Sequence, residues 1–569
     1  MEVFRRALAA HRARSGARSW VYVPYDQLTA DVGPLASLAP EAAGIVLVES
    51  PAKAARRPYH RQKLALVLAN QRHFAIEQAA RGVAVRYVVG RDGYANALRE
   101  LARELGPLRM MEAAERELRE ELAPLAAEGR LVVEPHAGFL TTRADFDAAT
   151  GGAPPYRLDA FYKHMRAKTG LLMDGKKPVG GRWSFDVENR KAWRGDPPAP
   201  TPPRFRPDEI TEEVGALVRE RFADHPGVLD LETLPATADD AAAVWQWALR
   251  ECLPMFGPFE DAMSTRSSGL FHTRISPLLN LHRLLPARVV ADVAARSDIP
   301  LASREGFVRQ ILGWRELVRH VHVATDGFRR GAEAPGVGPS TLDAHAPLVP
   351  AFWGTRTGLA CLDRVVADVW REGYSHHITR LMILGNLATL LAFEPREVSD
   401  WFWVAYIDAY DWVVEPNVLA MATYAAGDVM TTKPYVSGAA YIAKMSDYCQ
   451  GCAFDPKSTC PVTRLYWAFL ARHADRFAKN PRVAGPVASV KKRSAIERAE
   501  DARVFERARG TRAGRAPHPR IARAPRRPLT PSRATNRRAM LLLSFERAPG
   551  VGCGHGGRSR RRGVQRRIA

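Results

Sequence analysis

The sequence predicts an α/β domain built on a doubly wound parallel sheet, followed by an all-α domain. Three observations carry that expectation. Short apolar runs alternate with helical patterns over roughly 18–140, and helical patterns alone fill about 206–486. Between them the Pro-rich run Gly195-Asp-Pro-Pro-Ala-Pro-Thr-Pro-Pro203 reads as the linker.

In chain order, Trp20-Val-Tyr-Val23 and Gly44-Ile-Val-Leu-Val-Glu49 are continuous apolar runs, as strands buried on both faces should be. An amphipathic helix follows over 59–78, a strand over 83–89, a helix over about 94–105 and a strand at Arg130-Leu-Val-Val-Glu134. Ligands of such sheets sit beyond the strand carboxyl ends, which makes the loop after Glu49 the expected site. Helical patterns then cover about 208–223, 239–253, 286–296, 304–323, 356–371, 376–392, 395–413 and 461–478. The resulting limits are an N-terminal extension over 1–18, an α/β antenna-binding domain over 19–140, an interdomain linker over 141–205, a helical domain over 206–486 and a disordered basic tail over 487–569.

Composition narrows the class. A chain of 569 residues has room for two or three domains, and 46% hydrophobic with 25% charged residues is ordinary for a globular protein. Six irregularly spaced cysteines do not form a secreted disulfide framework and fit a reducing cytoplasm. The longest apolar stretch, 381–393, is too short to cross a membrane. The chain holds 83 Lys and Arg against 61 Asp and Glu; 23 and 5 of these lie from Lys491 onward, leaving 60 and 56 for the rest. The excess charge therefore belongs to an Arg-, Pro- and Gly-rich end, typified by Arg558-Ser-Arg-Arg-Arg-Gly563, and says little about the body of the protein.

Several segments carry chemistry. Cys449-Gln-Gly-Cys452 and Cys460, with Cys361 upstream, offer four thiolates; their spacing leaves zinc and an iron–sulfur cluster equally open. Asp400-Trp-Phe-Trp-Val-Ala-Tyr-Ile-Asp-Ala-Tyr-Asp-Trp412 is either an aromatic core helix or an electron relay. In Tyr374-Ser-His-His-Ile-Thr-Arg380, neighbouring histidines diverge on a helix, so only one of His376 and His377 is expected to line a narrow site. His272-Thr-Arg-Ile-Ser276 offers hydroxyls and a guanidinium to a diphosphate, or is simply a polar turn.

Four segments together resemble the iron–sulfur bacterial cryptochrome/photolyase family, which contains the prokaryotic (6-4) photolyases. They are Gly181-Arg-Trp-Ser-Phe-Asp-Val-Glu-Asn-Arg190, Phe307-Val-Arg-Gln-Ile-Leu-Gly-Trp-Arg-Glu316, His376-His-Ile-Thr-Arg-Leu-Met-Ile-Leu-Gly-Asn386 and Tyr448-Cys-Gln-Gly-Cys452. The resemblance runs from about Trp20 to Pro486. It implies a photolyase/cryptochrome-like fold and light-driven repair of (6-4) photoproducts in UV-damaged DNA by a monomeric cytoplasmic lyase. The implied cofactors are FAD, a [4Fe–4S] cluster and a 6,7-dimethyl-8-ribityllumazine antenna. By the same resemblance Cys361, Cys449, Cys452 and Cys460 are cluster ligands, while Cys252 and Cys553 are not. Thr273, Arg274 and Ser276 match the phosphate-binding turn, Arg380 and Asp408 the pair beside the isoalloxazine, and Asn417 a further cofactor contact. His377, as proton donor, and Tyr435 match catalytic positions; Asp261, Trp314 and Arg315 match the lesion pocket; Trp401 and Trp353 match electron-transfer tryptophans. This chain departs from the family at Tyr25, Phe402 and Val414, in a short Cys452–Cys460 loop, and in lacking a recognisable closing helix after Pro486. The rival implication is a cryptochrome-like photoreceptor without repair activity.

Overall fold

The computed structural model describes residues 1–11, 18–329 and 340–510. Five parallel strands, β1 (Ser19–Tyr22), β2 (Ala43–Glu49), β3 (Ala84–Val89), β4 (Leu108–Met111) and β5 (Leu131–Glu134), lie in the order β3-β2-β1-β4-β5. Alternate residues of β1 and β2 enter opposite cores. Val21, Ile45 and Leu47 join a small cluster, while Tyr22, Val46 and Val48 join a large one continuous with the helical domain. Gly44 faces its register partner Trp20, and a Cβ there would lie 2.5 Å from the indole. β4 escapes sequence reading because it is four residues long and interrupted by Arg109.

Three of the expected domain limits change. Residues 2–9 are not a loose extension: helix Glu2–Ala9 buries Phe4 against Tyr87, and the Met1 amino group pairs with Glu213 at 2.7 Å. The 141–205 segment is not simply a linker. It contains helices Arg143–Thr150 and Leu158–Thr169, which place Phe146, Phe161 and Tyr162 in the main core. Nor does order end at Pro486. Helices Ala484–Val490 and Ala495–Gly510 pack on Pro461–Arg472, with Val504, Phe505 and Ala508 buried on one face and the Arg472 guanidinium 3.7 Å from the Phe505 ring centre. Buried Asp501 takes Arg464 at 3.1 Å and Arg493 at 2.8 Å, so local pairing offsets the basic charge that hides this helix in the sequence. Cys553 and the rest of the basic end, 511–569, fall outside the described residues. Among the described residues no helix is long and apolar enough to cross a membrane.

The helical patterns recur with one functional exception. The pattern over 395–413 breaks: helix Pro395–Ala405 stops at an extended Tyr406, and Asp411–Glu415 begins a new helix. The helical domain also contains wide π turns at Ala248–Cys252, Arg309–Arg315, Arg380–Gly385 and Pro416–Ala422, a distortion that clusters at functional sites.

A polar seam joins the sheet to the helices. Buried Lys63 donates to the carbonyls of Trp403, at 3.0 Å, and Ala409, while the Arg116 backbone N–H donates to Asp411 Oδ2 at 2.7 Å. Chain order reverses between β1 and β4, so the crevice opens between the loops after Tyr22 and Met111. The loop after Glu49, where sequence reading placed the site, contributes Lys53, whose Nζ reaches Glu115 at 2.9 Å. Tyr25, stacked on Tyr94, donates to the same carboxylate.

Asp26 in this crevice is pushed up to about 7, first by burial and further by Asp411; its own backbone N–H and Lys53 oppose the shift. Its folded pKa thus lies above its ordinary value of 3.8, so its contribution is complete at low pH and is lost as pH rises toward 7. The stability of wild type relative to Asp26→Asn, from urea unfolding at fixed ionic strength, should decline across that window and be constant above it. A difference that does not vary with pH would contradict burial as the cause.

Candidate functional site

The break at Tyr406 delivers Asp408 to Arg380. The guanidinium pairs with both carboxylate oxygens, at 3.0 and 2.9 Å, and its Nε donates to Ser375 O at 2.8 Å. Ser276 Oγ donates to Asp408 Oδ2 at 2.7 Å, and Asn280 Nδ2 to the Asp408 carbonyl at 2.8 Å. Burial alone would raise the Asp408 carboxyl; Arg380 and Ser276 outweigh it and hold the group below its ordinary value. Arg380 lies 4.0 Å from the centre of the Tyr406 ring, which stacks in turn on Phe402.

Arg274 sits beside this pair, held by Glu372 Oε2 at 3.0 and 3.1 Å and by Ser268 Oγ at 2.7 Å. It has a left-handed backbone, φ 55°, and Gly269 leaves room for its side chain: a Cβ there would lie 2.7 Å from Arg274 Nε. Tyr374 presents its ring to both guanidiniums, Arg274 at 4.5 Å and Arg380 at 5.7 Å. Two guanidiniums with the hydroxyls of Ser268, Thr273 and Ser276 form a donor set suited to a diphosphate. Asn417 does not join it among the described contacts; its amide donates to Val413 O at 2.8 Å within its own helix. Glu415, beside Val414, is taken up by Arg329 at 2.6 Å, Arg396 at 2.8 Å and His322 at 3.2 Å.

Of the two histidines only His377 is exposed, but not for the helical reason expected. His376 is extended, φ −74° and ψ 167°, and caps the helix that His377 begins, so the divergence of successive helical residues does not apply. Both rings join His272: it stacks on His376 with centroids 4.5 Å apart and meets His377 edge-on at 5.2 Å. Ligand nitrogens of the three lie within 4.8 Å of one another. Parallel stacked rings point their lone pairs side by side rather than at one centre, which disfavours a metal ion. Burial first, then the neighbouring cations and histidines, hold His272 and His376 well below the ordinary imidazole range, so both are neutral. His377, partly exposed, instead has Asp261 Oδ1 3.8 Å from its Nε2.

Tyr435 stands close enough to Asp261, Asp186, Arg190 and Arg482 to feel their charges, which places it at the same mouth. Neither Trp314 nor Arg315 makes a described contact with His377, Asp261 or Tyr435. Trp314 packs half-buried on the main core. Arg315 donates to Leu279 O at 3.3 Å and lies over Phe139 and Trp412, at 4.5 and 5.2 Å. The same segment instead contributes Arg309 and Gln310. Buried Glu260 accepts from Gln310 at 2.6 Å and from Asn189 at 2.7 Å, and pairs with Arg309 at 3.5 Å, pinning the 181–190 segment beside Asp261. Sequence reading quoted Arg309 and Gln310 within a motif without assigning them a role.

Trp401 and Trp353, both expected, are joined by a residue that was not. Trp370 meets Trp401 edge-on at 6.0 Å and stacks on Trp353 at 5.4 Å. No local pattern marks it, since the three residues come from separate segments.

The four thiols lie near one another. Burial pushes the Cys361 thiol up, and Cys460, Cys449 and Cys452 each add to the shift, so the sulfurs lie within reach of one another's charge. The short loop before Cys460 closes as a tight turn in which Asp455 Oδ1 accepts from the Lys457 and Ser458 N–H groups, both at 2.9 Å. It delivers Cys460 to the N-terminus of helix Pro461–Arg472, and Cys361 lies in the first turn of Ala360–Glu372; both helix ends favour anionic sulfur.

In the crevice by the sheet, Tyr22 Oη, Asp26 Oδ1, Tyr59 Oη and Tyr410 Oη are buried without hydrogen-bond partners. Each is a buried polar group for which the protein itself supplies no partner.

The sequence profile for deoxyribodipyrimidine photo-lyase-related proteins matches residues 21–233. A protein of Agrobacterium fabrum named (6-4) photolyase is 35% identical over 487 residues, 82% of this chain and 94% of the relative. Among solved structures, a bacterial class III photolyase from Agrobacterium tumefaciens matches with TM-score 0.53 and 16% identity, over 87% of this chain and 98% of the other. A cryptochrome from Synechocystis matches with TM-score 0.52 and 14% identity, over 86% and 95%. These last two speak for the fold. With the length and identity of the first relative, the chain belongs to the photolyase-related family that includes the Agrobacterium (6-4) photolyase.

Proposed function

We propose that this protein is a light-driven DNA-repair lyase that restores (6-4) pyrimidine photoproducts, with FAD held by the Arg274–Arg380–Asp408 group. The observation that carries this reading is the placement of His377: partly open to the surface, beside Asp261, and one helical turn from Arg380. The name of the Agrobacterium fabrum relative supports the lesion class.

Reduced flavin, when bound, supplies the electron that opens the photoproduct. The chain's own residues do the rest. Arg274, Thr273 and Ser276 offer cations and hydroxyls to the diphosphate, and Arg380 with Asp408 fixes the charge around the ring system. The lesion must leave the helix stack, at a cost of a few kcal/mol. Arg190 and Arg482 near the mouth can offset backbone phosphates as it enters. There His377 Nε2 holds the proton for the group transferred between the two bases, with the Asp261 carboxylate beside it. His272 and His376 stay neutral beneath, so they neither compete for that proton nor repel it.

The four cysteines are assigned to a [4Fe–4S] cluster. The resemblance of the Tyr448–Cys452 segment to the iron–sulfur branch of the family supports a cluster over zinc. A ribityllumazine antenna is assigned to the Tyr22–Asp26–Tyr59–Tyr410 crevice, where its ring atoms and ribityl hydroxyls would satisfy the unpartnered groups.

Two experiments test the reading. Under blue light, wild type should restore a defined (6-4) oligonucleotide, while His377→Ala should be slower by about two orders of magnitude or more, the usual range for a lost general acid. Equal rates would remove His377 from the mechanism, and photoreduction without repair by wild type would turn the reading to a photoreceptor. Elemental analysis should give about four irons with matching sulfide per chain, falling sharply in Cys460→Ser. One zinc per chain would overturn the cluster.

A further inference from the structure

We propose that Asp447 is a positioning residue that fixes Asp261 at the lesion mouth from the side of the four cysteines; this rests on the functional reading above. One stretch of chain joins the two places. Tyr435 stands at the mouth, helix Ala439–Met445 follows, and Cys449 and Cys452 come shortly after it. Tyr441, on that helix, is near enough to Asp261 for the carboxylate to push its phenol up, second only to burial.

Residues next to the cysteines pin both ends of this helix. At its start the Ala439 N–H donates to Thr463 Oγ1 at 3.3 Å, three residues beyond Cys460. At its end the Met445 carbonyl accepts from the Met263 N–H at 3.0 Å. Asp447, two residues before Cys449, then closes the junction. Its Oδ1 accepts from the Thr265 N–H at 2.7 Å, and its Oδ2 accepts from the hydroxyls of Ser264 at 2.9 Å and Thr265 at 3.1 Å. Arg266 Nε stands 3.8 Å from the same oxygen, with its guanidinium over Trp193 at 4.3 Å.

These bonds bear on the mouth because Asp261 lies between two fixed points. Upstream, Gln310 and Asn189 hold the Glu260 carboxylate, and the Glu260 carbonyl lies 3.0 Å from His272 Nε2. Downstream, Met445 and Asp447 set the course of 263–265. Ala262 and Met263 are fully buried, and close packing transmits a displacement rather than absorbing it. Asp261 Oδ1 already stands 3.8 Å from His377 Nε2, so a small shift of the segment changes what faces the proton donor. A misplacement of about 1 Å, started far from the chemistry, can cost as much as about a hundredfold in rate.

Amide hydrogen exchange and single-turnover repair by the full chain, loaded with iron and flavin, test this. Asp447→Ala should keep the iron, sulfide and flavin content of wild type. Its Met263 and Thr265 N–H groups should exchange about tenfold faster or more, and bound lesion should be repaired about tenfold more slowly. Asp447→Asn should restore both, because its amide oxygen can take the Thr265 N–H while its amide hydrogens reach the two hydroxyls. Wild-type exchange or a wild-type repair rate in Asp447→Ala would overturn the proposal, as would an Asp447→Asn no better than the alanine variant. Should Asp447→Ala lose iron, the double variant Ser264→Ala/Thr265→Val decides from the other side of the junction. With iron retained there, slowed repair supports the clamp and unchanged repair overturns it. If wild type repairs no lesion, the (6-4) reading falls, and the exchange comparison still decides the clamp.

Discussion

The Arg380–Asp408 ion pair is the contact on which the rest of the helical domain is arranged. It joins the π turn after His377 to the break between two helices; Ser276 ties the 273–276 turn to the same carboxylate, and Asn280 donates to the Asp408 backbone carbonyl. Asp408 is buried and Arg380 half-buried, so removing the arginine leaves a buried carboxylate without its charge partner, a loss toward the lower end of the about 3–5 kcal/mol that breaking a buried pair costs. Such a pair is poor evidence for stability in itself, since apolar residues of similar volume could fill the space. Its value is positional: it fixes where Tyr406, Arg274 and His377 stand relative to one another.

The site's other features follow from that geometry. If the helix over 395–413 ran unbroken, Asp408 would continue a helical face and Tyr406 would not stack beneath Arg380. The break also sets the Trp401 ring, which contacts both Phe402 and Tyr406. On the opposite side, His376 gives up a helical conformation to become a cap, and in doing so adds its neutral ring to the floor under His377. The sheet domain contributes the second half of the support. Lys63 and Arg116 reach across to the segment that holds Asp408 and Asp411, so the crevice and the Arg380–Asp408 pair share one stretch of backbone.

Much of this was legible in the sequence, for identifiable reasons. β2 is buried at all seven positions and reads as one apolar run, and three cysteines within twelve residues announce a ligand set. Periodicity misled where backbone departs from regular helix: it ran a helix through Tyr406 and set His376 and His377 apart. Charge misled at Ala495–Gly510, where three buried apolar positions are outnumbered by arginines and glutamates, and buried Asp501 takes Arg464 from another helix. Trp370 and Glu260 were invisible for a third reason. Their roles come from residues far off in the chain, and nothing in their immediate sequence records those contacts.

The central claim is that Arg380 and Asp408 together hold the flavin. Its most direct test is the flavin content of purified Asp408→Asn, set beside wild type and the double variant Arg380→Met/Asp408→Leu. The account predicts stoichiometric flavin in wild type, loss from Asp408→Asn and loss from the double variant, even where far-ultraviolet circular dichroism shows both variants folded. Full flavin occupancy in a folded double variant would contradict it.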